Sequence, residues 1–256
     1  QQGPDHKYQL IARKRRPDFK VTLTALSSGL PRGSGREFVA KAERLDDFDG
    51  SIRIDFAKPP PGLRVTTPVV IQAGQIQAFG ALYADAEAPD LEANATLAAT
   101  ATATLAGREI TRDLKPLGPI NLTPAPKLLV RVLPARGGSA EDLSRDRPLE
   151  LTIRPGETIS ARVQATRRGF KDRIALGSHD AGRNLPHGVY VDNVGLNGLL
   201  VVEGQTEREF FITCDEWVPE TTRLFHLKAA PEKGLVTPPS CSRSVTIDES
   251  RARPSS

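Results

Sequence analysis

The 256-residue sequence predicts an all-β protein made of two antiparallel β-sandwiches in tandem. Three observations carry this expectation. Short stretches alternate apolar and polar residues with period two, which marks strands with one face in a core and one in water. Glycine and proline number 21 each, which favours many turns between short strands, and no stretch shows a sustained helical stripe. One pattern of residues also occurs twice.

The elements follow in chain order. "KVTLTAL" places Val21, Leu23 and Ala25 on one face, and "EFVAKAE" does the same for Phe38, Ala40 and Ala42. "SIRIDFA" turns Ile52, Ile54 and Phe56 inward and Ser51, Arg53 and Asp55 outward. The Ala/Thr stretch 95–107 has the alanine content of a helix, but Thr100, Thr102 and Thr104 alternate with alanines, and β-branched threonine favours a strand. Later strands are expected at "KLLVRVLP", "REFFITC" and "CSRSVTI".

The repeat sets 37–89 beside a second copy that begins at 158. Phe38 falls near Ile159, Phe48 on Phe170 and Ile52 on Ile174. "PPPGL" (59–63) falls on "LPHGV" (185–189), "IQAGQ" (71–75) on "VVEGQ" (201–205), and "LYAD" (82–85) on "ITCD" (212–215). In the Pro-x-Gly turns proline presets φ, and glycine accepts a positive φ before the next strand. Each copy spans about 110–125 residues, an ordinary sandwich size. The expected division is a terminal strand or linker at 1–16, sandwich one at 17–124, sandwich two at 125–250 and a tail at 251–256, with the boundary in "LTPAPK".

Hydrophobic residues make up 38% and charged residues 26%, which is globular and somewhat polar. A net charge of +4 does not mark a nucleic-acid binder. No apolar run approaches the roughly 20 residues of a membrane-spanning helix. The chain starts at Gln1 and contains no methionine, so it is expected to be a piece of a longer or processed protein.

Few residues point to chemistry. Asp46, Asp47 and Asp49 before Gly50 partly echo a calcium loop, but neither the spacing nor a closing glutamate is present. The matching corner of the second copy, "RRGFKDR", reverses the charge sign. The aspartates are therefore expected to be solvated loop residues, with calcium as the alternative. Cys214 and Cys241 sit at the end of one expected strand and the start of another. A disulfide between them is expected, closing about 26 residues and adding about 3 kcal/mol. Trp217, the only tryptophan, stands in the polar loop "CDEWVPE", where it either caps the core or contacts a sugar or partner. "GSHD" (177–180) and "RGSGR" (32–36) lack the context of a catalytic nucleophile, and no metalloprotease or phosphate-loop motif occurs. "ARKRRPDFK" (12–20) carries five basic residues without interleaved aromatic rings, and is expected to be a solvent-facing linker.

The shared residues resemble immunoglobulin-like modules of large secreted proteins of planctomycete-type bacteria. The match is "RLDDFDGSIRI…PPPGL…IQAGQ" in copy one and "RRGFKDRIAL…LPHGV…VEGQ" in copy two. Copy two departs from it by inserting "SHDAGRN" before its turn. "DHKYQLIARKRRPDFKVTL" resembles the join that follows a pre-peptidase C-terminal (PPC-like) domain in such proteins. The resemblance implies a non-catalytic segment that is secreted, periplasmic or at the cell surface. It would space or dock other domains of the same polypeptide or a protein complex, and no cofactor is expected. The alternatives are a polysaccharide- or protein-binding adhesion module, using loops such as 178–184 and 215–220, and an accessory segment of a peptidase or other hydrolase whose active site lies elsewhere.

Overall fold

The computed structural model describes residues 13–24, 26, 29–135, 150–176, 181–192, 199–231 and 243–247. The fold is all-β: among the described residues there are twenty strands and no helix.

The first module contains β1 (Asp18–Leu23), β2 (Leu30–Pro31), β3 (Ser34–Leu45), β4 (Ile52–Phe56), β5 (Leu63–Val65), β6 (Val69–Ile71), β7 (Gln77–Ala84), β8 (Ala99–Leu105), β9 (Arg108–Asp113) and β10 (Leu122–Thr123). One sheet is ordered β1-β3-β7-β5 and the other β6-β4-β8-β9, while β2 pairs in parallel with β10. The second module contains β11 (Leu128–Pro134), β12 (Glu150–Ile153), β13 (Thr158–Arg167), β14 (Ile174–Leu176), β15 (Val189–Val191), β16 (Leu199–Val201), β17 (Glu207–Cys214), β18 (Thr221–Phe225), β19 (Ala230–Pro231) and β20 (Arg243–Ile247). Its sheets run β11-β13-β17-β15, β16-β14-β19 and β12-β20-β18. The Ala/Thr stretch forms β8, which is buried on alternate alanines and pairs with β4 and β9.

Each module has its own core. Phe19, Phe38, Ile52, Ile54, Leu82 and Ala101 lie at the centre of the first. Val163, Ile174, Phe210, Ile212 and Phe225 lie at the centre of the second. The period-two reading holds because the inward residues of the two main sheets in each module meet across a single apolar layer.

The repeat extends to individual hydrogen bonds. Arg44 donates to the carbonyls of Gln75, Gly50 and Gln72 at 2.9, 2.7 and 2.8 Å, and its guanidinium lies 5.3 Å from the centre of the Phe48 ring. Arg167 donates to the carbonyls of Gln205, Asp172 and Val202 at 2.9, 2.6 and 2.9 Å, and lies 5.8 Å from the Phe170 ring. In both copies one fixed fork ties the corner to the Gly-Gln turn, a task suited to the rigid five-donor guanidinium. The Pro-x-Gly turns also match. Gly62 has φ +77° and its carbonyl accepts from Asp85 N–H; Gly188 has φ +85° and accepts from Asp215 N–H.

Strand register moves one part of the sequence alignment. Phe38 pairs with Gly80, and Ala161 pairs with Phe210. In both pairs the first residue lies four before an alanine, Ala42 or Ala165, whose N–H reaches the residue preceding β7 or β17. Phe38 therefore corresponds to Ala161, two residues beyond Ile159. The aromatic ring has changed strands: copy one stacks Phe38 over glycine, and copy two stacks Phe210 over alanine. Volume is preserved while residue identity is not.

Candidate functional site at the module joint

The two modules meet over the outer face of the β1-β3-β7-β5 sheet. Alternation along β3 turns Phe38 into the core and Glu37 outward. Ala81, the cross-strand partner of Glu37, is fully buried without belonging to the core, so another surface covers this face. That surface comes from the second module. Arg183 donates from Nε and its terminal nitrogen to the two Glu37 carboxylate oxygens at 2.9 and 3.1 Å. His226 Nε2 lies 3.1 Å from Glu37 Oε2, and Lys228 Nζ lies 3.5 Å from Oε1. The Arg183 guanidinium also sits 4.1 Å from the centre of the Phe79 ring. It serves as a bidentate partner and a π-face partner together.

Local structure holds these groups in place. Arg183 and His226 exchange backbone hydrogen bonds at 3.0 and 3.1 Å, which aligns both side chains toward Glu37. Asn184 has φ +70°, and its side-chain amide donates to the Leu224 carbonyl at 2.7 Å. The inserted "SHDAGRN" thus supplies, in its described part 181–184, Arg183, one of the residues that reach across the joint. The joint is also crossed by a bond from His187 N–H to the Gln72 side chain at 3.0 Å and by one from Arg223 to the Val70 carbonyl at 3.2 Å.

The electrostatics follow from burial and neighbours. Burial opposes ionisation of Glu37. The hydrogen bond from His226 and the charge and hydrogen bonds of Arg183 outweigh it, and the carboxyl is held well below its ordinary value. Complete burial pushes His226 below the ordinary histidine value, against the hydrogen bond and charge of Glu37. Neutral His226 with its proton on Nε2 donates to Glu37, while Nδ1 is buried without a hydrogen-bond partner. The arrangement is a charge-compensated clasp.

Beside the clasp lies a cleft of about 600 Å³, lined from the first module by Val70, Gln72, Gln75, Gln77, Ala78 and Phe79 and from the second by Gly182–Leu185, His187, Val189–Val191 and Arg223. Of the residues singled out from sequence, Trp217 stands next to it. It is 58% exposed, and its ring centre is 5.1 Å from that of His187.

The acidic corner and the basic linker are one feature. Arg13 pairs with Asp46 and Arg15 with Asp47, and Arg16 N–H donates to Asp46 at 2.9 Å. The hydrogen bond from Arg13 holds the Asp46 carboxyl below its usual range. Asp46 and Asp47 adopt φ values of 47° and 65°, and Gly169 adopts 75° at the same corner of the second module. Aspartate tolerates this left-handed conformation better than most residues. Asp49 accepts the Gly74 N–H through its backbone carbonyl. Among the described residues no group of three or more His, Cys, Asp or Glu is placed to hold a metal.

Cys214 is buried at the end of β17, and its thiol is pushed up by burial and by the charge of Asp215. Cys241 and "GSHD" lie outside the described residues. Sequence reasoning pointed to the loop 178–184 that carries Arg183, but missed Glu37, His226 and Arg223. One signal was available: "AFGALYA" in β7 is apolar at consecutive positions, as in a strand covered on both faces.

No protein-family model matches the chain. No curated protein matches it in sequence. Several solved structures of tandem modules are similar to it along most of its length. Domains 5-6 of the S-layer protein SbsC share 13% identity, with 91% of this chain and 100% of that chain covered and a TM-score of 0.27. The N-terminal Ig1-2 module of the Drosophila receptor protein tyrosine phosphatase DLAR shares 11% identity over 91% and 99% of the two chains, with a TM-score of 0.33. The fibronectin(III)-like modules of Clostridium thermocellum CbhA share 14% identity over 89% and 94%, with a TM-score of 0.25. Likeness at this level carries no argument about activity.

Proposed function

We propose that this chain is a non-catalytic structural and interaction segment of a larger exported bacterial protein. It holds other domains of the same polypeptide, or of a protein complex, at a set distance and angle. The observation that supports this is the Glu37 clasp. A carboxylate 10% exposed and bonded by three residues of the other module favours one relative orientation over free rotation. Export rests on the resemblance of the repeated corner and turn to modules of secreted proteins. The pairing of Cys214 with Cys241 is part of the same proposal, since an oxidising location permits it.

Small-angle scattering tests the joint. The chain should scatter as one rigid two-module body, and Arg183→Gln should broaden it into an ensemble with a larger radius of gyration. If the unmodified chain is already as broad as the variant, the orienting role is wrong.

A further inference from the structure

We infer that the cleft between the modules is a binding site for an acidic polysaccharide, with Arg223 as the group that receives its carboxylate or sulfate. The volume of about 600 Å³ lies within the range of ligand sites. Among the described residues no aspartate or glutamate lines the cleft, whereas two arginines do. They differ in one respect. Arg183 is compensated by Glu37. Arg223 is half-buried, donates to the Val70 carbonyl, and has no carboxylate partner among the described residues. Burial alone pulls its guanidinium below the usual arginine range. A guanidinium that has lost water and faces a cleft with unused donors is complementary to a bidentate oxyanion.

The rest of the lining matches sugar. Gln75 and Gln77 are exposed and offer amides that both donate and accept, as neighbouring hydroxyls require. Tyr190 is 47% exposed at the cleft, and Trp217 against His187 extends the aromatic surface. Such rings take the apolar face of a pyranose at little entropic cost. One uncompensated cation among several amides and rings suits a polymer with one charge per sugar ring. A polyacidic peptide calls for a denser set of cations than this.

The test is calorimetric titration of the full chain with an oligogalacturonate, with cello-oligosaccharide and poly-glutamate as comparison probes, and with scattering recorded on the same samples. The oligogalacturonate should bind, weaken as salt rises, and lose at least tenfold in affinity in both Arg223→Gln and Tyr190→Ala. Cello-oligosaccharide should bind at least tenfold more weakly. Tyr190→Ala removes none of the bonds described across the joint, so it decides the matter if Arg223→Gln alters the scattering. A docked chain that ignores the oligogalacturonate, equal affinity in Tyr190→Ala, or tighter binding of poly-glutamate would overturn the inference. An undocked chain would overturn the joint itself, a separate result visible in the scattering.

Discussion

Exchanging the core ring between strands is the sharpest test of the repeat. Phe38 is 1% exposed, and Phe38→Ala should cost about 3–5 kcal/mol through lost transfer energy and the cavity left behind. Gly80→Phe alone should cost about 3 kcal/mol or more, because even a Cβ at Gly80 would stand 2.3 Å from Phe38 Cζ. The double variant Phe38→Ala/Gly80→Phe recreates the Ala161/Phe210 pair of the second module, in which both residues are fully buried. It should lie within about 1–2 kcal/mol of the unmodified chain. The remaining loss comes from the edge-to-face contact of Phe38 with Phe56 at 5.2 Å, worth about 0.5–1.5 kcal/mol. The two substitutions should therefore couple favourably by about 4 kcal/mol or more, whereas independent sites add. Calorimetry and urea unfolding of the four proteins give the cycle, with the transition moved by Phe38→Ala assigned to the first module. A double variant no more stable than its weaker parent would show that the cores are not built on exchangeable volume.

Three further outcomes are expected. Glu37→Gln keeps the size of the side chain but removes the charge shared by Arg183 and Lys228; it should weaken docking by about 3 kcal/mol, seen as loss of coupling between the two module transitions in calorimetry. Docking should hold near neutral pH and weaken in acid, because both depressed groups bind protons more readily when the joint is open. The His226 contribution erodes as pH falls below its ordinary 6.5, and that of Glu37 as it falls below 4.5; scattering that shows tighter docking at pH 5 than at pH 8 would contradict this. Gly188→Ala and Gly62→Ala should each lower stability by about 2 kcal/mol or more, because positive φ combines with a Cβ 2.5 Å from Val218 or 2.8 Å from Ala88. Gly107→Ala, at φ +78° with nothing within 4 Å, should cost only about 1 kcal/mol, and thermal melts should rank the three accordingly.

These contrasts show which parts of the molecule were legible in the sequence. The corners and Pro-x-Gly turns were, because a left-handed backbone or a fixed φ narrows the choice to a few residue types. The β8 strand was legible because threonine alternated. The Phe38/Phe210 exchange was not, since aligning residues by identity cannot see a volume moved to the neighbouring strand. The basic linker and the acidic corner each looked solvated alone, and only the fold sets Arg13 against Asp46. Glu37 was hidden for a related reason. It alternates outward as a surface residue should, and Arg183 and His226 stand 146 and 189 residues away.

The joint uses what the copies do not share. Outward on β3 and β7 the first module presents Glu37 beside Ala81 and Phe79; at the same register the second presents Ser160 beside Phe211 and Glu209. Phe211 remains 41% exposed, whereas Ala81 is covered. The partner groups come from 181–184, inside an insertion that the first copy lacks, and from the segment after β18. Residues common to both copies therefore build a sandwich twice, and residues found in one copy join the two at a single place. A clasp repeated on every copy would let modules associate in any order. A clasp with Glu37 on one copy and Arg183 on the other specifies the sequence in which they meet, and leaves Arg223 in the cleft without a carboxylate partner among the described residues.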